Sequence, residues 1–311
     1  MSMSPPQEPN LDDYAWQVVP EASQFINARL DKATEQNESL AALARRMHEE
    51  TGTRLVDWVL SITLADDSTT REQLARLGFV LGDETRWQHP GGLFPVVQLV
   101  GADVAQPAET PLEIAVKVDS VEDFAAAQGN DCRVEVSGKP GDRCRVGEVR
   151  PSSGPNWAPR LIVVERHGQW TGTAESTSAR QIAAAAKHRA AMAARRRDHD
   201  DPAEGFDQAV RLVQAAATDL RADWATDLFF AAERDYWQSR NQAARVQYQR
   251  QQRLGLGWAN HDHPTYRSSR ACFHLLVDAL EQMGFTCRER FYAGQQAGWG
   301  AQVLEHADCG I

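Results

Sequence analysis

Residues 257–270, GWANHDHPTYRSSR, gather His261, Asp262, His263, Tyr266, Arg267 and Arg270 in one short run. Neutral imidazole and carboxylate are ligands for divalent metals. A guanidinium holds a carboxylate or phosphate through two parallel hydrogen bonds. The same residues also make an ordinary polar turn, so three readings stand open: a metal site, an anion clamp, or a turn without chemistry. If Pro264 does not bulge the chain, extended backbone puts residues 263, 265 and 267 on one face. His263 and Arg267 would then look into one cavity, with Tyr266 on the opposite face as packing. His261 reads as an orienting or surface group. Arg267 has Asp262 and Glu281 as simple ion-pair partners, and His274 reads as a core-edge residue of the following helix.

The elements that must position these groups are written in the apolar periodicity. Residues 1–10 are proline-rich and polar and read as a disordered tail. Residues 11–52 read as helix ending at Gly52. RLVDWVLSITLA, from Arg54, is strand-like. DDSTTREQLARLG is a capped short helix closed by Gly78, and FVLGDETRWQ, LFPVVQLVG and PLEIAVKVDS are strands. VEDFAAAQ is a short helix, and CRVEVSG, RCRVGEVR and RLIVVERHG are strands, which suggests a second, abbreviated unit inside 53–170. Residues 177–252 read as two helices broken near Asp201–Pro202, with Phe206, Val210, Val213, Leu220, Trp224, Leu228 and Trp237 on the apolar stripe. Residues 253–311 then repeat strand, helix, strand, strand. LARLGF at 74–79 matches LEQMGF at 280–285, which aligns Gly78 with Gly284, Val97 with Val303 and Asp57 with His263.

This pattern of βαβββ units resembles the vicinal oxygen chelate superfamily. DHPTYRS at 262–268, with LEQMGF, RERFYAG and GAQVLEHAD after it, resembles the Asp-His-x-x-x-Arg-Ser/Thr signature of the 2-oxoadipate dioxygenase/decarboxylase (hydroxyglutarate synthase) group. The resemblance covers residues 258–308. It implies an α+β fold of βαβββ modules, with an N-terminal helical segment and a long helical insertion. It also implies a divalent metal, Fe(II) first, bound by two histidines and a carboxylate beside a small 2-oxo acid. Carried onto this chain, His263 would be a metal ligand and Arg267 the substrate carboxylate clamp, with His261, Asp57 and Glu113 the further metal candidates. Two departures stand against it. Asp57 or Trp58 occupies the place of a first-module histidine, and the second module stops at EHADCGI with its last strand apparently incomplete. A non-catalytic binding or scaffold protein on degenerate modules is therefore the competing reading, with 177–252 as the surface for an oligomer or a partner protein. Glu113 also reads simply as a solvent-facing strand residue, and Phe291, Tyr292 and Trp299 as sheet packing.

Composition narrows the partners. The formal charge of −10 weighs against nucleic acid, which needs clustered cations; the basic run AARRR is followed at once by DHDD. No apolar run approaches a membrane span, and the start carries no signal-peptide pattern, so a cytoplasmic protein is expected. Cys132, Cys144, Cys272, Cys287 and Cys309 are odd in number and widely spaced, which fits reduced thiols rather than a disulfide frame. No GxSxG, P-loop or dinucleotide-binding glycine pattern is present.

Overall fold

The computed structural model describes residues 19–82, 85–91, 94–101, 110–129, 132–151, 158–169, 174–260, 264–293 and 298–311. The expected tail at 1–10 and the residues His261, Asp262 and His263 lie outside them.

The N-terminal helices are α1 (Pro20–Gln36) and α2 (Glu38–Arg46). Asn37 divides them, and its side chain accepts from Leu40 N–H to cap the second. A π-turn then runs into Gly52 at φ 74°, the left-handed cap. The first sheet unit is β1 (Val59–Ala65), α3 (Ser68–Arg76), β2 (Val80–Leu81), β3 (Arg86–Gln88) and β4 (Val96–Val100). The second is β5 (Glu113–Val118), α4 (Val121–Gln128), β6 (Cys132–Ser137), β7 (Cys144–Pro151) and β8 (Arg160–Arg166). In each unit the first strand pairs parallel with the last, and the last three strands form an antiparallel meander. The units join through the antiparallel pair β1·β5 into one eight-stranded sheet, ordered β2-β3-β4-β1-β5-β8-β7-β6. The fold is a pair of βαβββ units, in an α+β protein.

The sequence alignment had set 253–311 as the partner of the first unit. The partner in the sheet is instead 113–166. Abbreviation was the wrong description of that segment, because it carries all five elements of a complete unit.

One face of the sheet carries the main core. Ile62, Leu64, Ile114, Val116, Leu161 and Val163 alternate onto it and meet Phe25, Leu40, Leu74 and Phe124 from the helices. The opposite face carries a smaller apolar cluster of Leu60, Ala115, Cys144, Ile162 and Val164. Strand β1 is buried almost throughout, as a strand covered on both faces must be.

Residues 177–252 form four helices, where two were expected: α5 (Ala179–Ala193), α6 (Pro202–Asp219), α7 (Ala222–Arg240) and α8 (Gln242–Gln252). The break at Pro202 is present, with Asp201 as N-cap and proline in the first turn, where its missing N–H costs nothing. Two further breaks, at Leu220–Arg221 and at Asn241, leave little trace in apolar spacing. Trp237, placed on the buried stripe by periodicity, is 51% exposed.

The last unit is α9 (Phe273–Gln282), β9 (Thr286–Tyr292) and β10 (Gly300–Glu305). Its two strands pair only with each other, and residues 264–268 form no strand. His274 is exposed rather than at a core edge. Phe291, Tyr292 and Trp299 are exposed as well, and Phe291 and Tyr292, as strand neighbours, point to opposite faces of the hairpin.

Candidate functional site

Asp57 does not stand on a strand. It closes a 3-10 turn, accepting from the Arg54 backbone N–H and pairing with the Arg54 guanidinium at 2.8 Å. Glu113 begins β5 and pairs with Arg160, its register partner on β8, at 2.8 Å. Burial pushes its carboxyl up, against the opposing charge of Arg160. Glu113 lies opposite Thr63, whereas Lys117 N–H bonds the Trp58 carbonyl next to Asp57. The two carboxylates are therefore at least four strand residues apart, roughly 13 Å at a strand's rise. Ligands of one ion lie about 2 Å from it, so Asp57 and Glu113 cannot share a metal. Arg267 is exposed, and Tyr266 is half-buried with its ring 6.3 Å from that of Phe230.

The open face of the sheet explains the rest. Thr63 and Gln98 sit there near Ala115 and Ile162, and the carboxylate beside Thr63 on that face, Glu113, is held by Arg160. Among the described residues no three His, Cys, Asp or Glu side chains gather as a metal site. The described residues therefore do not fit the iron that the resemblance implies.

A different constellation does converge. The parallel strands β5 and β8 end side by side, with Val118 opposite Glu165. Alternation turns Lys117 and Arg166 onto the open face, where α7 crosses their ends. Asp227 of α7 is buried, and its carboxylate meets His167 Nδ1 at 3.0 Å. Burial alone would raise Asp227. The His167 hydrogen bond, with the charges of Lys117 and Arg234, outweighs it and holds the carboxyl far below the usual range. The Lys117 side chain makes no hydrogen bond or ion pair among the described residues. Burial, reinforced by Arg166, pushes its ammonium down to about 8 against the pull of Asp227 and Asp119. Asp119 is exposed, yet desolvation raises its carboxyl.

Two glycines make the close approaches. Trp258 N–H donates to Asp119 Oδ2 at 2.6 Å, and this brings the 258–260 segment to the same place. Gly257, at φ 59°, permits it, because a Cβ there would stand 2.2 Å from Asp119 Oδ2. Gly168, at φ 75°, lets the end of β8 meet α7, where a Cβ would stand 2.6 Å from Asp223 Oδ2. That carboxylate fastens the corner: it accepts from Arg143, from Gln169 N–H and from Arg221. Arg166 donates to the carbonyls of Gly168, Asp308 and Cys309 and so holds the 306–311 turn over the face. A cleft of about 140 Å³ opens beside it, walled by Leu60, Arg86, Gln88, Gln169 and Asp308.

Lys117, Arg166 and Arg234 lie among the carboxylates of Asp119, Asp227 and Asp308. Guanidinium groups and an amine suit an anionic ligand, and a partly neutral amine can take up a proton. None of these residues stands out in the sequence. The available signal was an aspartate–lysine–arginine set at the C-terminal ends of neighbouring parallel strands, and it is visible only once the pairing of β5 with β8 is known.

No family profile matches this chain, and no curated protein matches it. Among solved structures it is similar to glyoxalase I from Zea mays, at 14% identity and a TM-score of 0.26, over 39% of this chain and 46% of that one. A point variant of the same maize enzyme gives 15% identity and a TM-score of 0.25, over 35% and 44%. The chain thus spans less than half the length of the maize enzyme, and so slight an overlap says nothing about the chemistry here. The paired βαβββ connectivity stands on the strand register alone.

Proposed function

We propose that this chain binds a small carboxylate of the 2-oxo acid class in the cleft at the ends of β5 and β8. The observation that carries this is the convergence of Lys117, Arg166 and Arg234 on Asp119 and Asp227 beneath α7. Lys117, unpaired and lowered to about 8 chiefly by burial, is the group to meet the carboxylate or to take a proton from the carbon beside the carbonyl. The finer reading, from the resemblance of residues 262–268, is a metal-dependent dioxygenase-type reaction with His263 as ligand and His261 beside it. When bound, such a metal would supply a Lewis acid and a place for oxygen. Asp119, which accepts from Trp258 N–H, is the further carboxylate to test with His263. Arg267 is kept in this reading as the substrate clamp.

Calorimetric titration with 2-oxoglutarate, with and without Mn(II), tests the proposal. Wild type and Glu113→Gln should bind alike, Lys117→Met should bind at least tenfold more weakly, and His263→Ala should lose only the part that depends on Mn(II). Equal binding by wild type and Lys117→Met would overturn it, and so would no heat under either condition.

A specific observation favours a second reading. On the open face of the paired units Glu113 is already held by Arg160, and its neighbours Thr63, Gln98, Ala115 and Ile162 are neither histidine nor carboxylate; this favours a non-catalytic scaffold whose partner or second copy docks on the helices of 177–252. Binding of the oxo acid without turnover under any metal would support it.

A further inference from the structure

The helix α7 has two working faces. At about 100° per residue, Asp227, Ala231 and Arg234 form the stripe toward the sheet, Phe229 and Glu233 turn the other way, and Phe230 stands on the flank between them. On that second face, between α7, α9 and the α5–α6 connection, lies a cavity of about 340 Å³. Phe229, Phe230 and Tyr266 wall it with rings, and Leu276, Ala279 and Met283 close it from α9.

Its polar groups come in one unbalanced set. Glu233 is buried and accepts from Arg195 Nη2 at 3.0 Å, from Arg197 Nη2 at 2.7 Å and from Trp237 Nε1 at 3.3 Å. Those bonds use both of its oxygens, and the arginines hold its carboxyl low against the effect of burial. Two guanidinium groups against one carboxylate leave one positive charge. Arg197 Nε is buried with no hydrogen-bond partner, and so is Nδ1 of His199. The His199 side chain is 10% exposed, and Nδ1 stands 3.6 Å from the carboxylate of Glu204, beyond hydrogen-bond reach. Glu204 itself is exposed at the rim, where water screens it. Buried polar groups without partners are unusual unless something else satisfies them.

We propose that this cavity is a binding site for an aromatic carboxylate. Its volume is at the small end of the range for ligand sites, about 300–1,000 Å³, which admits one or two rings and excludes a nucleotide. The rings stack on Phe229, Phe230 and Tyr266. The carboxylate meets the surplus charge of the Arg195–Glu233–Arg197 set and takes the Arg197 Nε hydrogen. The site shares no side chain with the cleft at Lys117 and does not depend on that cleft's ligand.

The probe is 1-naphthylacetate, titrated by calorimetry against its neutral amide. The acid should bind wild type at least tenfold more tightly than the amide. Ala279→Trp, which fills the cavity, should abolish binding, and Arg197→Met should weaken the acid tenfold and leave the amide unchanged. Lys117→Met should bind the acid as wild type does, which separates this site from the cleft. Circular dichroism and the thermal midpoint check folding of each variant. If Ala279→Trp does not fold, Leu276→Phe narrows the same cavity and should weaken binding at least fivefold. Acid and amide binding equally, no binding of the acid to wild type, or undiminished binding in a folded cavity-filling variant would each overturn the proposal.

Discussion

At the level of single residues, Gly257 lets Trp258 reach Asp119, and Lys117 is the amine near that carboxylate. Alanine at 257 would force a side chain into left-handed backbone and against Asp119, at a cost of roughly 1–3 kcal/mol for the backbone alone. Gly257→Ala should lower the thermal midpoint and weaken binding of 2-oxoglutarate; an unchanged midpoint with unchanged binding would show that the Asp119–Trp258 bond does not matter. Lys117 carries a pH signature. Its folded value is about 8 and its unfolded value is the ordinary one near 10.5. Below pH 8 both states hold the proton, and the folded state bears the full penalty of a buried charge. Between pH 8 and 10.5 only the unfolded state keeps it, so folding gains stability as pH rises. Lys117→Met should therefore be more stable than wild type below pH 8, with a margin that shrinks toward pH 10.5. Chemical denaturation at several pH values reads this directly, and a constant margin would contradict the lowered lysine. Residues of this kind were not legible in the sequence. His261, His263 and Arg267 attracted attention because of their types, whereas Lys117 and Asp119 look like ordinary strand and loop residues until β8 and α7 are set against them. Asp57 and Glu113, the two alternative carboxylates, each already have an arginine.

At the scale of elements, the repeat seen in LARLGF and LEQMGF has a structural meaning that the ungapped alignment only half captured. Gly78 and Gly284 both end helices with positive φ, at 87° and 97°. Phe79 N–H and Phe285 N–H both bond back to the leucines, Leu74 and Leu280. After each comes a hairpin and then a histidine, His89 after β3 and His306 after β10. Each ring sits edge-on to its phenylalanine at 5.2 Å, and each bonds the carbonyl at the helix end, of Leu77 and Met283. Each Nδ1 accepts from the turn that follows, from Gly91 and from Cys309. The hairpins differ in length, so the fixed offset that aligned Val97 with Val303 slips after the phenylalanine. The helix ending was legible, because glycine and an aromatic mark it. The histidines were not, because loop length hides their equivalence. His306→Ala removes a buried hydrogen-bonding group and should destabilise by about 1–3 kcal/mol. His89 is half-buried, so His89→Ala should cost less. Urea denaturation that finds neither variant weakened would refute the shared capping role.

Across the whole molecule, two cores divide the work. One lies between the sheet and the N-terminal helices, and the other joins α5, α6 and α7 to the last unit. The helical segment that reads as an insertion thus also reaches the sheet: Asp227 of α7 meets His167, the residue after β8, beside Lys117. In a chain with a formal charge of −10, Lys117, Arg166 and Arg234 come together at that spot, which is a reason to expect an anion there. The direct measurement is a crystal structure of the protein grown with 2-oxoglutarate. The account predicts density for the acid between β5, β8 and α7, with a carboxylate oxygen within hydrogen-bond reach of Lys117 Nζ. Density beside Glu113 and Arg160, or a cleft at Lys117 that stays empty in crystals containing the acid, would contradict it.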